Sequence, residues 1–342
     1  MISDFYYNAT YRHQVYLERL KSGEVNKVFP FLDEWRTSVL NRLSDSIITD
    51  YSRARLELLL LTIEQDLNVI ANDQYSLISQ SFQDIAVYEG QFEVNLLNET
   101  LKDFDTVLPT AAQLHGAVFT EVMSVRGRHG GKLLEPFIKD WQQDEIREYT
   151  QIIRRGFAEG QTNQQMVQEV RSHSDSTKHH ASAMVRTGIQ HVANQARKKT
   201  LIDNGVKKYQ WVSVLDSRTT PFCQRVDNLI FDHGKGPYPP AHINCRSNTI
   251  PDFPKGFNLK DSGALRSALN GPVSADLDYF DWLKKQPKQM QIDALGKKRA
   301  DVFQTMTKEN FIKLAYNKRF EPLTLDEMRK KEPTVFVLLT VS

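Results

Sequence analysis

The chain has 342 residues, 40% of them hydrophobic and 25% charged, the balance of an ordinary folded protein, so wholesale disorder is excluded and two or three domains are expected. Lys and Arg number 44 against 42 Asp and Glu, a formal charge of +2, which excludes a uniformly basic nucleic-acid coat but not a local basic patch. No apolar run is long enough to span a membrane, two cysteines cannot form a disulfide scaffold, and Met1-Ile2-Ser3-Asp4-Phe5-Tyr6-Tyr7 carries no secretory signal. A protein made and folded in a cytoplasm is expected.

The first 200 residues read as helical. Leu32, Trp35, Val39 and Leu43 recur at three- and four-residue steps, with Pro30 just ahead of them to open a helix. Leu56, Leu59, Leu60, Ile63, Leu67 and Ile70 repeat the pattern. Arg126-Gly127-Arg128-His129-Gly130-Gly131-Lys132 is the clearest break in this half and places a domain boundary near residues 126–140. It is not a phosphate loop, because Gly127 stands one position too close to Gly131-Lys132 and Leu133 replaces the required hydroxyl. Helices resume at Ile146, Tyr149, Ile153 and Phe157, and Thr162 with Gln165 forms a capping box. His173, His179 and His180 follow in a serine-rich stretch read as a loop, and a further helix runs from Ala181 to Lys199, with Arg186 and Asn194 near one face.

Charge is distributed unevenly. Between Glu57 and Asp105 ten acidic residues face one basic residue, and between Lys178 and Lys208 seven basic residues face one acid. Two solvated helix faces account for this, as do two docking surfaces. In the second case Arg186, Arg197, Lys198, Lys199, Lys207 and Lys208 are the candidate contacts to DNA or an acidic partner.

After Gly205 the period changes. Tyr209 to Leu215 reads as a strand, Asp216 to Cys223 as a turn, and Leu229-Ile230-Phe231 as a second strand. Both cysteines fall in this window, 22 positions apart, with His233 and His242. Cys223, His242 and Cys245 suit a tetrahedral zinc ion, with Asp216 or His233 as a fourth ligand. A Cys223–Cys245 disulfide and two reduced thiols packed as small apolar groups are the other readings. The zinc-deaminase signature is absent. For a papain-like Cys–His pair, no helix N-terminus is evident at Cys223 to lower its pKa. The enzymatic alternative is a metal-dependent nuclease or hydrolase on the Cys/His segment, using Asp232, His233 and Asn244. Trp282 and Leu283 read as core, Thr324 with Glu327 as a second capping box, and Thr334 to Val341 as a strand-prone tail.

The run Asp216-Ser217-Arg218-Thr219, Cys223, and Pro239-Pro240-Ala241-His242-Ile243-Asn244-Cys245-Arg246-Ser247 resembles the signature of the phage Mu F-like minor head proteins, the phage head morphogenesis family. Val185-Arg186-Thr187 and Asn194-Gln195-Ala196 resemble the same family's preceding block, and segments to about residue 330 look similar to its C-terminal part. The chain departs from the pattern in having Gly188 where Glu is frequent, and Ser247 where a further Cys is frequent. The resemblance implies a virion component and not an enzyme: a minor capsid protein at the portal vertex, acting in head assembly and in DNA packaging or ejection. The implied partners are portal protein, major capsid or scaffolding protein, and packaged DNA held non-specifically, and the implied location is the virion, with the host cytoplasm during assembly. The fold class expected is α+β, predominantly α-helical. It comprises a helical N-terminal domain (1–130), a head-morphogenesis module with a small β-hairpin Cys/His unit (140–255), and a helical C-terminal extension (256–342).

Overall fold

The structure, a computed structural model, describes residues 2–45, 53–101, 105–126, 130–253 and 263–338. Three helices, α1 (Ile2–Asp45), α2 (Arg53–Thr100) and α5 (Asn163–Asp203), form its long axis, each about 60–70 Å at 1.5 Å per residue. α2 returns along α1, so that His13 meets Glu89 and Arg42 meets Asp66. α5 then runs beside both, from Asn163 at the carbonyl of Leu43 to Arg197 at Glu93. α3 (Ala111–Phe119) lies against α2 and α5, and α4 (Leu134–Ala158) completes the bundle.

The sequence stripes make this core. α1 buries Leu17, Val25, Val28, Leu32, Trp35, Val39 and Leu43, and α2 buries Leu56, Leu60, Ile63, Leu67, Ile70, Ile78 and Phe82. Pro30 does not open a helix; it sits inside α1, on the exposed face, where the carbonyl it leaves without a donor is open to water. The Thr162–Gln165 capping box is present, but the helix it opens runs unbroken to Asp203. His173, His179 and His180 therefore lie within α5 and not in a loop: the stretch holds no proline, and serines alone do not interrupt a helix packed on a core. The expected boundary near 126–140 falls in the connection between α3 and α4, of which residues 127–129 lie outside the described set. One core nevertheless runs across it, from Leu17 through Leu134 and Ile153 to Ala196, so α1 and α2 are not a separate unit here.

β1 (Lys208–Val212) pairs antiparallel with β2 (Ile230–Asp232), placing Tyr209 opposite Phe231, and with β3 (Asn248–Asp252), placing Trp211 opposite Thr249. The hairpin is thus a three-stranded sheet, order β2-β1-β3. The third strand contains Pro251, which a sequence reading treats as a breaker but an edge strand accommodates. The alternation of β1 separates two cores: Trp211 faces Phe222, Val226 and the cysteines, while Val212 packs with Ile250 against Tyr6, Tyr7 and Leu97. Between β1 and β2 lies α6 (Pro221–Val226).

A two-stranded ribbon, β4 (Leu265–Arg266) and β5 (Val273–Ser274), leads into α7 (Tyr279–Lys284), α8 (Lys288–Leu295), α9 (Lys297–Thr305), α10 (Lys308–Ala315), α11 (Leu325–Lys331) and α12 (Pro333–Leu338). These wrap Phe280, Leu283, Phe303 and Phe311, and Trp282 is buried among them as expected. The Thr324–Glu327 box opens α11. The tail expected as a strand is helical from Pro333 to Leu338, with Phe336 in the core, because a proline at the first helical position favours a helix start. Residues 339–341 of that stretch lie outside the described residues. The protein is α+β and predominantly helical. Among the described residues no helix is long and apolar enough to cross a membrane.

Candidate functional site

Cys223, His242 and Cys245 converge: their ligand atoms all lie within 4.8 Å of one another. Cys223 is presented by the first turn of α6, the helix start that sequence reading did not find, with Pro221 at its opening. His242 and Cys245 are brought together by a tight turn, in which the Cys245 N–H donates to the His242 carbonyl at 3.2 Å. Asn244 takes the left-handed conformation that this turn requires (φ 58°), a backbone state asparagine tolerates well. Both cysteines are free thiols and fully enclosed, 0% and 1% exposed, among Trp211, Phe222, Val226 and Ala241. Burial raises both thiols, but contacts from Cys223 and His242 bring Cys245 well below its ordinary value, while Cys223 stays above it. Burial opposes the charge on His242, yet Cys245 beside it raises the imidazole. The His242 Nδ1 lies 2.8 Å from the Ile243 carbonyl, which fixes a proton on that nitrogen and directs Nε2 away from the backbone.

Asp216 does not join this group. Its carboxylate is held by the fork of Arg246 at 2.6 and 2.9 Å and accepts from the Arg218 N–H and the Thr219 hydroxyl. Burial alone would raise its pKa, but Arg246 overcomes this and holds it below the usual carboxylate range. The residue expected as a fourth ligand instead clamps the 216–219 turn onto the segment behind Cys245. His233 is likewise elsewhere, packed between Tyr209 and Tyr238, and burial lowers its pKa to about 4. Asp232 faces Lys208 and Lys235. Among the described residues, Cys223, His242 and Cys245 are the one such group arranged to hold a metal ion.

The centre is tied to the bundle by one face of α5. Thr187, Gln190, Asn194 and Arg197 follow at steps of three, four and three, so they share a stripe. The Thr187 hydroxyl accepts from the Asn244 N–H at 2.9 Å, the Gln190 amide donates to the Ser247 carbonyl at 2.8 Å, and Arg197 donates to Asn248 at 3.1 Å. Behind them Lys21, 1% exposed, bonds Gln190 and Glu18. Arg197 Nε pairs with Glu93 at 2.7 Å, and Glu93 also accepts from the Tyr6 hydroxyl. Sequence reading paired Arg186 with Asn194 instead. The 3-4-3 spacing of the actual stripe was present, but nothing local reveals that its partners are a backbone segment some 55 residues downstream.

A short tie crosses the centre itself. The Ser213 hydroxyl donates to the Cys223 carbonyl and accepts from Trp211 Nε1, both at 2.9 Å, and lies 3.3 Å from the Ser247 hydroxyl. The Ser247 hydroxyl in turn contacts the Cys223 thiol. Gly188 explains the other departure from the family pattern: a Cβ there would stand 2.7 Å from the buried ring of Phe82, so this bundle has no room for a larger residue.

The six candidate basic contacts do not form one face. Arg197 is 2% exposed and committed to Glu93, so it cannot touch DNA. Arg186 turns to Glu18 and Ser22, Lys198 to Glu121 and Lys199 to Asp203. The charge asymmetry is thus partly consumed inside the protein. Lys207 and Lys208 remain exposed and gather with Lys235 near Asp232 at the end of β1 and β2. Lys235 also lines a cleft of about 690 Å³ with Arg126, Phe222, Arg319, Phe320 and Glu321, in which Arg126 is paired with Glu321 at 3.3 Å; no contiguous sequence run announces it. The histidines of α5 close on a different acid: His180 lies 2.7 Å and His173 3.2 Å from Glu145, which Thr177 also bonds. Burial would raise the Glu145 pKa, but these contacts lower it.

Residues 148–250 match the family described as Phage Mu protein F like protein. This bears out the resemblance over α5, the sheet, the Cys/His centre and the C-terminal part of α4; the segments downstream of residue 250 lie outside the match. No curated protein and no solved structure matches the chain.

Proposed function

We propose that this chain is a structural component of a phage head, a minor head protein seated at the portal vertex and acting in head assembly, with packaging or ejection of DNA as the stage it serves. The observation that carries the reading is the match of residues 148–250 to the Mu F-like family, which suggests phage head morphogenesis and a place in the virion. The motif residues support a structural and not a catalytic use. Asp216 and Arg246 are spent on each other, the thiols are enclosed, and Thr187, Gln190 and Arg197 hold backbone or buried carboxylate. The exposed cations Lys207, Lys208 and Lys235 suit an acidic portal surface or DNA phosphates, which reward Lys without base readout. Portal protein is the principal partner, with major capsid or scaffolding protein beside it. Assembly takes place in the host cytoplasm.

Quantitative mass spectrometry of purified particles tests this, comparing empty with full heads. A few copies per particle, alongside portal, is the expected result. Absence from every particle form would sink the structural role and restore the nuclease reading, which divalent-metal-dependent DNA cleavage by the purified chain would then support.

A further inference from the structure

We infer that Cys223, His242 and Cys245 form a structural binding site for a soft divalent cation, zinc by its ligand chemistry, with the side of Ser247 as the fourth position. Three observations meet here. First, the three ligand atoms lie within 4.8 Å of one another, and the separations of about 3.5–3.8 Å that tetrahedral bonds of about 2.3 Å to sulfur and about 2.0–2.1 Å to nitrogen require fall inside that limit. Second, the imidazole is already oriented: Nδ1 bonds the Ile243 carbonyl at 2.8 Å, the backbone tie that metal-bound histidines use, and Nε2 remains the nitrogen for a ligand bond. Third, the sulfurs are closed off. Cys223 and Cys245 are enclosed and Trp211, Phe222 and Ala241 surround them, so no substrate reaches the sulfurs. Enclosed cysteine sulfurs beside a half-buried imidazole are the environment of a structural ion and not of a nucleophile.

Ser247 defines the remaining position. Its hydroxyl lies 3.3 Å from the Ser213 hydroxyl, which itself bonds the Cys223 carbonyl at 2.9 Å, so an oxygen donor stands on the Cys223 side of the group. The ion would join α6 to the turn before β3. Soft thiolates select zinc over magnesium or calcium, which prefer oxygen ligands. This inference is independent of the head-assembly reading, since a structural ion serves any function of the module.

The test is made on the full chain, expressed in zinc-supplemented medium and purified without chelator. Elemental analysis is expected to find one zinc per chain, with both thiols silent to a thiol reagent until a chelator is added. After zinc removal, cobalt(II) is expected to restore binding with thiolate-to-cobalt charge-transfer absorption. The same spectrum should be lost in Cys223→Ser and Cys245→Ser and altered in His242→Ala. Ser247→Cys adds a thiolate at the fourth position and should slow zinc release to a chelator at least tenfold. Wild-type protein without zinc, taking up no cobalt and showing either two freely reactive thiols on unfolding or a Cys223–Cys245 disulfide, overturns the site. Unchanged release from Ser247→Cys overturns the fourth position.

Discussion

In the bundle, Trp35, Val39, Leu43, Ile63 and Leu67 pack over helices whose backbone groups bond one another, and the core continues along α2 from Leu56 to Ala86. Around the Cys/His centre the enclosed group is only Trp211, Phe222, Cys223, Val226, Ala241 and Cys245, set on a three-stranded sheet and irregular segments. A fully buried aliphatic or aromatic side chain contributes about 1.5–3 kcal/mol, whereas each ordered residue, in a helix or a loop, costs about 1–2 kcal/mol of backbone entropy. The bundle sets many buried apolar side chains against that cost, and the module sets few. It therefore depends on specific ties: the Asp216–Arg246 fork, the Ser213 hub and the stripe on α5. Between the regions lies a third arrangement, where the stripes of α1 and α2 carry Lys21, Glu89 and Glu93 in place of apolar residues.

The sharpest way to break the comparison is at that seam. Arg197→Ala strands the Glu93 carboxylate in the core, with the Tyr6 hydroxyl its remaining donor, and should cost about 3–5 kcal/mol in denaturant unfolding. Arg197→Met combined with Glu93→Leu and Tyr6→Phe, which removes the hydroxyl that Glu93 accepts from, should recover most of it, showing that the charge pair sets specificity more than stability.

The next effect belongs to the bundle alone. Burial lowers the His191 pKa to about 4, while its Nε2 donates to the Val118 carbonyl at 2.9 Å. The unfolded chain, with a histidine pKa near 6.5, binds a proton between about pH 6.5 and 4 that the native protein does not. Stability is therefore full above pH 6.5 and falls by about 3 kcal/mol as the pH drops to 4. His191→Gln, which keeps a donor but does not titrate, should flatten this part of the pH–stability curve.

A smaller effect should stay within the module. Arg246→Gln removes the fork from buried Asp216 and should cost about 2 kcal/mol. Hydrogen exchange is expected to speed up in residues 213–247 while the midsection of α2 keeps its protection. The same loss of protection along α2 would mean that the two regions unfold as one. The smallest effect, about 1 kcal/mol, is expected from Gly188→Ala. Its better helix propensity offsets part of the overpacking against Phe82, and Phe82→Leu in the same chain should turn the change stabilising.

Features fixed by local pattern were legible in the sequence: the apolar stripes, both predicted capping boxes, and the window holding the Cys/His group. Features fixed by a distant partner were not. Pro30 has the local pattern of a helix start, and only the fold shows that it sits mid-helix and faces water. The histidines of α5 have the pattern of a loop, because Glu145, which gathers two of them, lies on another helix. Asp216 has the chemistry of a ligand, and nothing near it in sequence shows that Arg246 occupies it. Charge counts mislead for the same reason: Glu93 belongs to the acidic stretch and Arg197 to the basic one, and they neutralise each other.

α5 holds the module at Thr187, Gln190 and Arg197 and reaches Leu43 at its other end through Asn163. It contains no proline, and its single glycine is locked under Phe82, so nothing along its 41 residues acts as a joint. Mechanically it is a lever about 62 Å long, for which a tilt of one degree at the module displaces the far tip by about 1 Å. A load taken up at the sheet would thus arrive, undamped, at the opposite pole of the bundle.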